Sequence, residues 1–298
     1  MRLKQSSGIL FALLAAALYA LNAPFSKLLL SSIPPTLLAG FLYLGAGVGM
    51  VVVSLSRRLM RSEHTEENFS KRDLPYVLAM IVLDIAAPVA LLFGLSYTTA
   101  ANATLLNNFE IVATALIALL VFREAVGLRL WCGIFFITGA CILLSFDSME
   151  AMQFSAGSLL VLLACLFWGI ENNCTRHLSE KDPLMIVLLK GIFSGIGSLI
   201  IGFFVGERVG NWWSVLLSLG LGFVAYGLSI FFYVYAQRRL GAARTSAYYA
   251  IAPFIGTLLS LLIFRNAPPT TYYISLGFMI VGAWLSSGDG PLFLKKRS

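Results

Sequence analysis

Apolar runs of about 20 residues recur along the whole of this chain, and a helix of that length crosses roughly 30 Å of hydrocarbon. Membrane-spanning β-strands would instead be about 10 residues long with alternating polarity, a pattern that is absent here. Only 12% of the 298 residues are charged, whereas a soluble domain carries about 25%. The sequence therefore predicts an all-α membrane protein with no sizeable soluble domain.

Ten segments are predicted to span the bilayer, with prolines and glycines in the turns between them. Their approximate bounds are 8–30, 36–55, 74–95, 99–121, 128–145, 156–177, 184–205, 213–237, 242–264 and 270–287. With the N-terminus inside, seventeen Lys and Arg residues fall in inner segments and two in outer segments. Because excess Lys and Arg mark cytoplasmic loops, we expect a multi-pass protein of the cell (inner, cytoplasmic) membrane with both termini in the cytoplasm.

The two halves of the chain, 1–150 and 151–298, repeat weakly. A shift of 149 residues places Tyr19 on Trp168 and Asn22 on Glu171, and a shift of 142 aligns later positions in the same way. Each half holds five predicted spans, so the second half must enter the membrane upside down relative to the first. Such inverted repeats are common in secondary transporters, whose substrate site lies near the membrane midplane where the repeats meet.

Three sequence features are typical of one family. The first helices of the halves read Ala-Leu-Tyr-Ala-Leu-Asn (17–22) and Leu-Phe-Trp-Gly-Ile-Glu (166–171). Ala100-Ala101-Asn102-Ala103 opens the fourth span, and Phe122-Arg123-Glu124 precedes a Gly-rich fifth span. On these motifs the chain resembles the drug/metabolite transporter superfamily and, within it, the ten-span EamA-type exporters. The resemblance covers essentially the whole chain and implies two EamA-like repeats of five helices each.

The chain departs from the family pattern in the fourth span. The family usually has a proline in the middle of the fourth helix of each half; Pro253 keeps it in the second half, but the first half reads Asn107-Asn108-Phe109-Glu110-Ile111. Glu110 is thus a carboxylate in mid-span, as Asp84 is in the third span. A charge at that depth costs about 2.5–3.5 kcal/mol on insertion scales and usually points into the bundle with a function.

The resemblance implies that the first, third and fourth helices of each half surround a central cavity and that the fifth helices are peripheral. Nine residues are accordingly predicted to line the cavity and bind substrate: Asn22, Asp84, Asn107, Glu110, Trp168, Glu171, Tyr226, Tyr248 and Tyr249. Aromatic rings beside carboxylates suit an organic cation or amine. Structural alternatives stay open, in which Asp84 pairs with Lys190, Glu110 binds Asn107 or a neighbouring helix, and Glu171 contacts water or Arg176.

The predicted function is secondary active transport of a small organic metabolite, such as an amino acid or amine, by alternating access. The resemblance implies export, and Glu110 and Asp84 are the predicted proton carriers. A proton-driven multidrug or cation efflux carrier is the alternative. A membrane enzyme is disfavoured because His64 and His177 are the two histidines and lie in or near loops. A channel is disfavoured because an inverted repeat in one chain forms no ring of filter residues.

No cofactor is expected. The four cysteines lie in apolar stretches without CxxC spacing, which predicts small core residues and no metal site. Gly45-Ala46-Gly47-Val48-Gly49 and the Gly191-xxx-Gly195 pair predict close helix packing and not a nucleotide loop. The expected partners are a small-molecule substrate, protons and the lipid bilayer, with no nucleic acid, and the protein is expected to be a monomer or homodimer.

Overall fold

Helices make up nearly all of the protein in the computed structural model, which describes residues 2–59, 70–122, 127–148, 153–178, 181–240, 245, 248–265 and 268–286. Helices α1 to α14 are Arg2–Tyr19, Asn22–Leu29, Pro35–Leu59, Leu74–Tyr97, Ala100–Leu106, Phe109–Phe122, Leu128–Ser145, Ala156–Leu178, Pro183–Leu189, Gly195–Phe204, Trp212–Gly222, Ser229–Leu240, Ala252–Phe264 and Thr270–Ser286. Two π-helical segments, Lys190–Ser194 and Phe223–Leu228, join α9 to α10 and α11 to α12. The all-α prediction is confirmed apart from one short antiparallel hairpin, in which β1 (Phe146–Ser148) pairs with β2 (Gln153–Phe154).

Within the described residues, six helical segments are long and apolar enough to cross a membrane: Ser7–Leu29, Pro35–Ser56, Leu74–Tyr97, Ala156–Thr175, Pro183–Phe204 and Trp212–Ala236. Three shorter apolar helices are Leu128–Leu144, Ala252–Phe264 and Thr270–Leu285. Apolar side chains such as Phe204, 88% exposed, and Leu120, 76% exposed, cover the outside of the bundle. A chain with this surface is suited to hydrocarbon and not to water, so the membrane prediction is confirmed.

The fourth predicted span is not one helix. It breaks at Asn107-Asn108, where α5 ends and α6 begins. The amides of Asn108, Glu110 and Ile111 each donate to a carbonyl three residues earlier, at 3.1 Å. The Asn108 side chain also donates to the carbonyl oxygen of Leu105 at 3.1 Å, a local bond that competes with the helical ladder. The fourth predicted span, 99–121, is therefore two helices and not one.

Two further predicted spans are also interrupted. The first predicted span breaks between Tyr19 and Asn22, and the ninth, already helical at Tyr248 and Tyr249, resumes as regular helix only at Ala252. The residues before it, Ala250 and Ile251, form a turn. Irregular backbone is tolerated inside a membrane only where protein or a cavity surrounds it. These breaks therefore belong to the interior of the bundle.

Glycines bring helices of the two halves into backbone contact. A Cβ atom on Gly45 would lie 2.1 Å from the carbonyl oxygen of Leu219, and one on Gly191 would lie 2.2 Å from the amide nitrogen of Gly47. These residues join α3 to the second half of the chain. The predicted packing role of both glycine groups is confirmed. At the periphery, α7 packs against α14 and exposes Phe135 to the surroundings.

Replacing Gly222 by alanine is expected to destabilise the protein, because the added Cβ would lie 1.9 Å from the carbonyl oxygen of Leu42. Relieving that clash requires backbone movement, and overpacking of this kind costs about 1–3 kcal/mol. Gly220 is the matched control on the same helix, since a Cβ there meets nothing within 4 Å. Thermal unfolding in detergent should show a lower midpoint for Gly222→Ala and no loss for Gly220→Ala. Equal midpoints would contradict the backbone contact.

Candidate functional site

Three buried charges from both halves of the chain meet inside the bundle. The Lys190 ammonium donates to Oε1 of Glu171 at 2.6 Å and lies 3.3 Å from Oδ2 of Asp84. The side chains of Asp84 and Lys190 are 1% and 5% exposed. Asp84 belongs to α4, Glu171 to α8, and Lys190 opens the first π-helical segment. π-helical turns occur often at functional sites.

Neighbouring hydroxyl groups hold the two carboxylates in place. The Tyr43 hydroxyl donates to Oδ1 of Asp84 at 2.8 Å, and the Thr175 hydroxyl donates to Oε1 of Glu171. Oδ2 of Asp84, by contrast, has no hydrogen-bond partner among the described residues. Its contact with Lys190 is therefore an ion pair without hydrogen-bond alignment, and Lys190 is more closely bound to Glu171.

A third carboxylate, Glu110, lies apart from this triad. It is half-buried near the start of α6, and its Oε1 accepts a hydrogen bond from Asn172 at 2.6 Å. Asn172 is also 3.4 Å from the Thr114 hydroxyl. Asn172, the partner of Glu110, follows Glu171 directly along α8. If every acid is ionised, Asp84, Glu110 and Glu171 exceed the one lysine by two negative charges, a costly excess in a medium of low dielectric.

Aromatic side chains fill the space beside the charges. The Tyr43 ring meets the Tyr226 ring edge to face, with centroids 4.9 Å apart, and the Tyr226 hydroxyl accepts a hydrogen bond from Asn22 at 3.1 Å. Tyr249 lies 5.9 Å from Tyr19 and 4.8 Å from Tyr233, measured between ring centroids. The aromatic group thus connects the Asp84 triad with the first and ninth predicted spans.

The helix breaks converge on a small cavity. Its lining includes Tyr19 and Asn22 from the first break, Asn107 from the fourth span, and Ala252 and Pro253 at the start of α13. The cavity holds about 10 Å³, which is room for about one water molecule. Both halves of the chain therefore contribute irregular backbone to the same point inside the bundle.

Most of the nine predicted residues come together in this region. Asn22, Asp84, Asn107, Trp168, Glu171 and Tyr226 are buried, whereas Glu110 and Tyr249 are half-buried. Tyr248 is 36% exposed and does not share the ring contacts of its neighbour Tyr249. Of the structural alternatives, Asp84 pairs with Lys190, Glu110 binds Asn172 of a neighbouring helix, and Glu171 binds Lys190 and Thr175.

Tyr43 is the site residue that sequence reasoning missed. It lies in an otherwise apolar span, 2% exposed, and it contacts both Asp84 and Tyr226. The signal that could have found it is its position between Gly40 and Gly45. Those glycines let the second half approach α3 closely, so a polar side chain between them lies at the junction of the halves.

The two ends of the bundle differ. At the end containing Lys27, a cavity of about 400 Å³ lies between α5 and α7 of the first half and α13 and α14 of the second. Lys27 lines it and donates to the carbonyl oxygens of Leu95, in the last turn of α4, and of Thr98, which follows that helix. None of the nine predicted residues is in its lining. The cavity is therefore separate from the buried charges.

The opposite end, which contains Asp73, is held together by contacts between the halves. Tyr76 stacks on His177 with centroids 3.9 Å apart, and Asp73 pairs with Lys181 at 3.7 Å. The Ser70 amide donates to Asp73 at 2.8 Å, and this bond holds the pKa of Asp73 below its usual value. Met80, Leu178 and Ile186 form an apolar cluster beneath. The described residues at this end thus join α4 to α8 and α9.

The part of the chain that the structure describes contains no group of three or more His, Cys, Asp or Glu side chains placed to hold a metal ion. Buried carboxylates paired with one lysine can bind protons or an organic cation. They can also bind a neutral molecule when protonated.

Comparisons with known proteins identify relatives along the whole chain. The model of the EamA-like transporter family matches residues 6–146 and 155–288. The chain is similar to an "Uncharacterized transporter" of Methanothermobacter thermautotrophicus, with 26% identity over 95% of this chain and 87% of the relative. It is also similar to "Uncharacterized transporter YyaM" of Bacillus subtilis, with 19% identity over 85% and 83%. A solved structure titled "Crystal structure of protein" aligns with a TM-score of 0.66, at 17% identity over 95% of each chain.

Proposed function

Because the chain belongs to the EamA-like transporter family, we propose that this membrane transporter moves a small organic metabolite, such as an amino acid or amine, by proton-coupled alternating access. The observation that carries the proposal is the junction of the two halves. Interrupted helices from both halves meet there beside four buried or half-buried ionisable groups, Asp84, Glu110, Glu171 and Lys190. Secondary transporters bind substrate at such discontinuous helices between repeats.

The proposed architecture is ten spans in two inverted five-helix repeats, 1–150 and 151–298. Two pairs of equivalent positions support it. The Ser26 hydroxyl donates to Asn22, and at the positions 149 residues later the Thr175 hydroxyl donates to Glu171. The break at Asn107-Asn108, shifted by 142, falls on residues 249–250, just before α13. The family model also matches the chain twice, once in each half.

Contacts between the halves also support the proposed pseudo-symmetry. Asn22 of the first half binds Tyr226 of the second. Their repeat equivalents are Glu171 and Asp84, which Lys190 bridges. The helices obey the same rule, since α1 packs against α12 and α4 packs against α8. Rocking of one half against the other would therefore act on both contacts.

In the proposed cycle, Glu110 is the first proton carrier and Asp84 the second. Glu110 is half-buried and accepts a hydrogen bond from the Asn172 side-chain amide, and among the described residues it forms no ion pair, so it can gain or lose a proton without breaking one. Asp84 is held by Tyr43 and Lys190, so its protonation would release Lys190 toward Glu171. The proposal also places the protein in the cell membrane with both termini in the cytoplasm. The direction of transport is outward. The family and the excess of basic residues in predicted inner loops support these last points.

Proton flux in proteoliposomes tests the proposal. Vesicles containing the purified protein and a pH-sensitive dye would be challenged in turn with cationic, zwitterionic, anionic and neutral metabolites. The expected result is a proton response to one class, saturable with concentration, and none in protein-free vesicles. Folded protein that responds to no class would contradict proton coupling, and formation of a chemical product would show an enzyme instead.

A further inference from the structure

The space between Asp84 and Glu171 holds the side chain of Lys190. A primary ammonium occupies it, donating to Glu171 at 2.6 Å and lying 3.3 Å from Asp84. The two carboxylates come from opposite halves of the chain, so this ammonium lies across the junction at which the halves would move. No sequence motif marks such a site, because its three members are distant along the chain.

Lys190 does not donate a hydrogen bond to every carboxylate oxygen around it. Oδ2 of Asp84 is buried, lies 3.3 Å from the ammonium and has no hydrogen-bond partner among the described residues. Glu171 binds Lys190 through Oε1, which also accepts from Thr175. An ammonium has three donors, so a smaller cation free of the lysine stem could satisfy both carboxylates more fully than Lys190 does.

We infer that Asp84 and Glu171 form an ammonium subsite that Lys190 occupies when the transporter is empty, and that the primary ammonium group of a cargo molecule takes its place. The inference rests on the proposed transport function, and it assigns primary amines with a narrow carbon chain as the cargo. Tyr43 donates to Asp84 at the edge of the subsite, and its ring packs against that of Tyr226. Their rings would contact the carbon atoms next to the ammonium by cation–π attraction. Lys190 would return to the acids when cargo leaves.

Chemical rescue tests the subsite without any transport measurement. Lys190→Ala removes three carbons and the nitrogen, and n-propylammonium supplies the same atoms. The expected result is that n-propylammonium raises the unfolding midpoint of Lys190→Ala by several degrees, saturably, while tetramethylammonium and potassium do not. Tetramethylammonium has the positive charge but no N–H donor. An equal response to all three cations would overturn the proposal.

Two matched variants control the rescue. Lys190→Met fills the space of the lysine stem without a charge, so n-propylammonium should not stabilise it. The double variant Lys190→Ala/Glu171→Gln keeps the space but loses the main acceptor. Its rescue should therefore require at least a tenfold higher concentration of n-propylammonium. Where Lys190→Ala does not fold alone, its folded yield with and without n-propylammonium during purification becomes the readout. An unchanged yield would then overturn the proposal.

Exchange by the wild-type transporter tests the cargo assignment. In proteoliposomes, primary amines should exchange across the membrane, and trimethylated amines of similar length should exchange at least tenfold more slowly. Rescue of Lys190→Ala together with exchange of anionic or neutral compounds alone would overturn the cargo assignment. A wild-type protein that exchanges nothing would overturn the proposed function, whereas the rescue experiment would still decide the subsite.

Discussion

Replacing Lys190 by methionine is expected to destabilise the folded protein by about 3–5 kcal/mol, the range found when one partner of a buried ion pair is removed. Methionine has a similar length, so the packing of the stem is largely kept. Asp84 and Glu171 would remain buried without a cation, at 1% and 4% side-chain exposure. Unfolding of the purified protein in mixed detergent micelles, followed by helical circular dichroism, measures the loss.

A neutral version of the same site is the control. In Asp84→Asn/Lys190→Met/Glu171→Gln the three charges are removed together and the shapes are nearly preserved. Replacing a whole buried ion network is often neutral or stabilising, so this triple variant should recover most of the stability lost in Lys190→Met. A triple variant as unstable as the single one would show that Lys190 matters through packing and not through its charge.

Glu110→Gln is expected to abolish proton-driven accumulation of substrate while leaving substrate exchange in place. Glutamine keeps the size of the side chain and imitates the protonated acid, so the proposed carrier can still change conformation with substrate. It can no longer pick up or release a proton. Accumulation of substrate driven by a pH gradient should fall at least tenfold. The rate of counterflow should stay within about threefold of the wild-type rate.

Asn172→Leu is an informative companion, because it removes the amide that binds Glu110 at 2.6 Å but leaves the carboxylate. Proton coupling should survive in that variant, but the pH dependence of substrate accumulation should change. Retention of full gradient-driven accumulation by Glu110→Gln, with normal folding, would remove Glu110 from the coupling mechanism and leave it a structural residue bound to α8.

The membrane class and the buried carboxylates could be predicted from the sequence because both follow from the cost of polarity in hydrocarbon. Asp84 and Glu171 stand out in apolar spans for that reason. Which group neutralises each acid could not be predicted, since it depends on helix rotation and distance across the bundle. The sequence left Lys190 open as a partner of Asp84, and in the structure Lys190 bridges Asp84 and Glu171.

The helix breaks and the tyrosines show a second limit. Asn107-Asn108 lies in a long apolar run, and two asparagines alone lower helix propensity only modestly, so the interruption of the fourth span was not foreseen. Tyr248 and Tyr249 are neighbours that point about 100° apart on a helix. Local sequence cannot say which of them faces inward. In the structure Tyr249 joins the aromatic group and Tyr248 is 36% exposed.

Counterflow in proteoliposomes tests most directly whether the two halves alternate around one buried site. Vesicles would be loaded with the metabolite that gives the largest proton response, and entry of a radiolabelled trace would be followed with and without that internal load. A carrier of this design predicts uptake that saturates with concentration and is accelerated several-fold by substrate on the far side. Uptake that rises linearly with concentration and ignores the internal load would show a channel and would contradict alternating access.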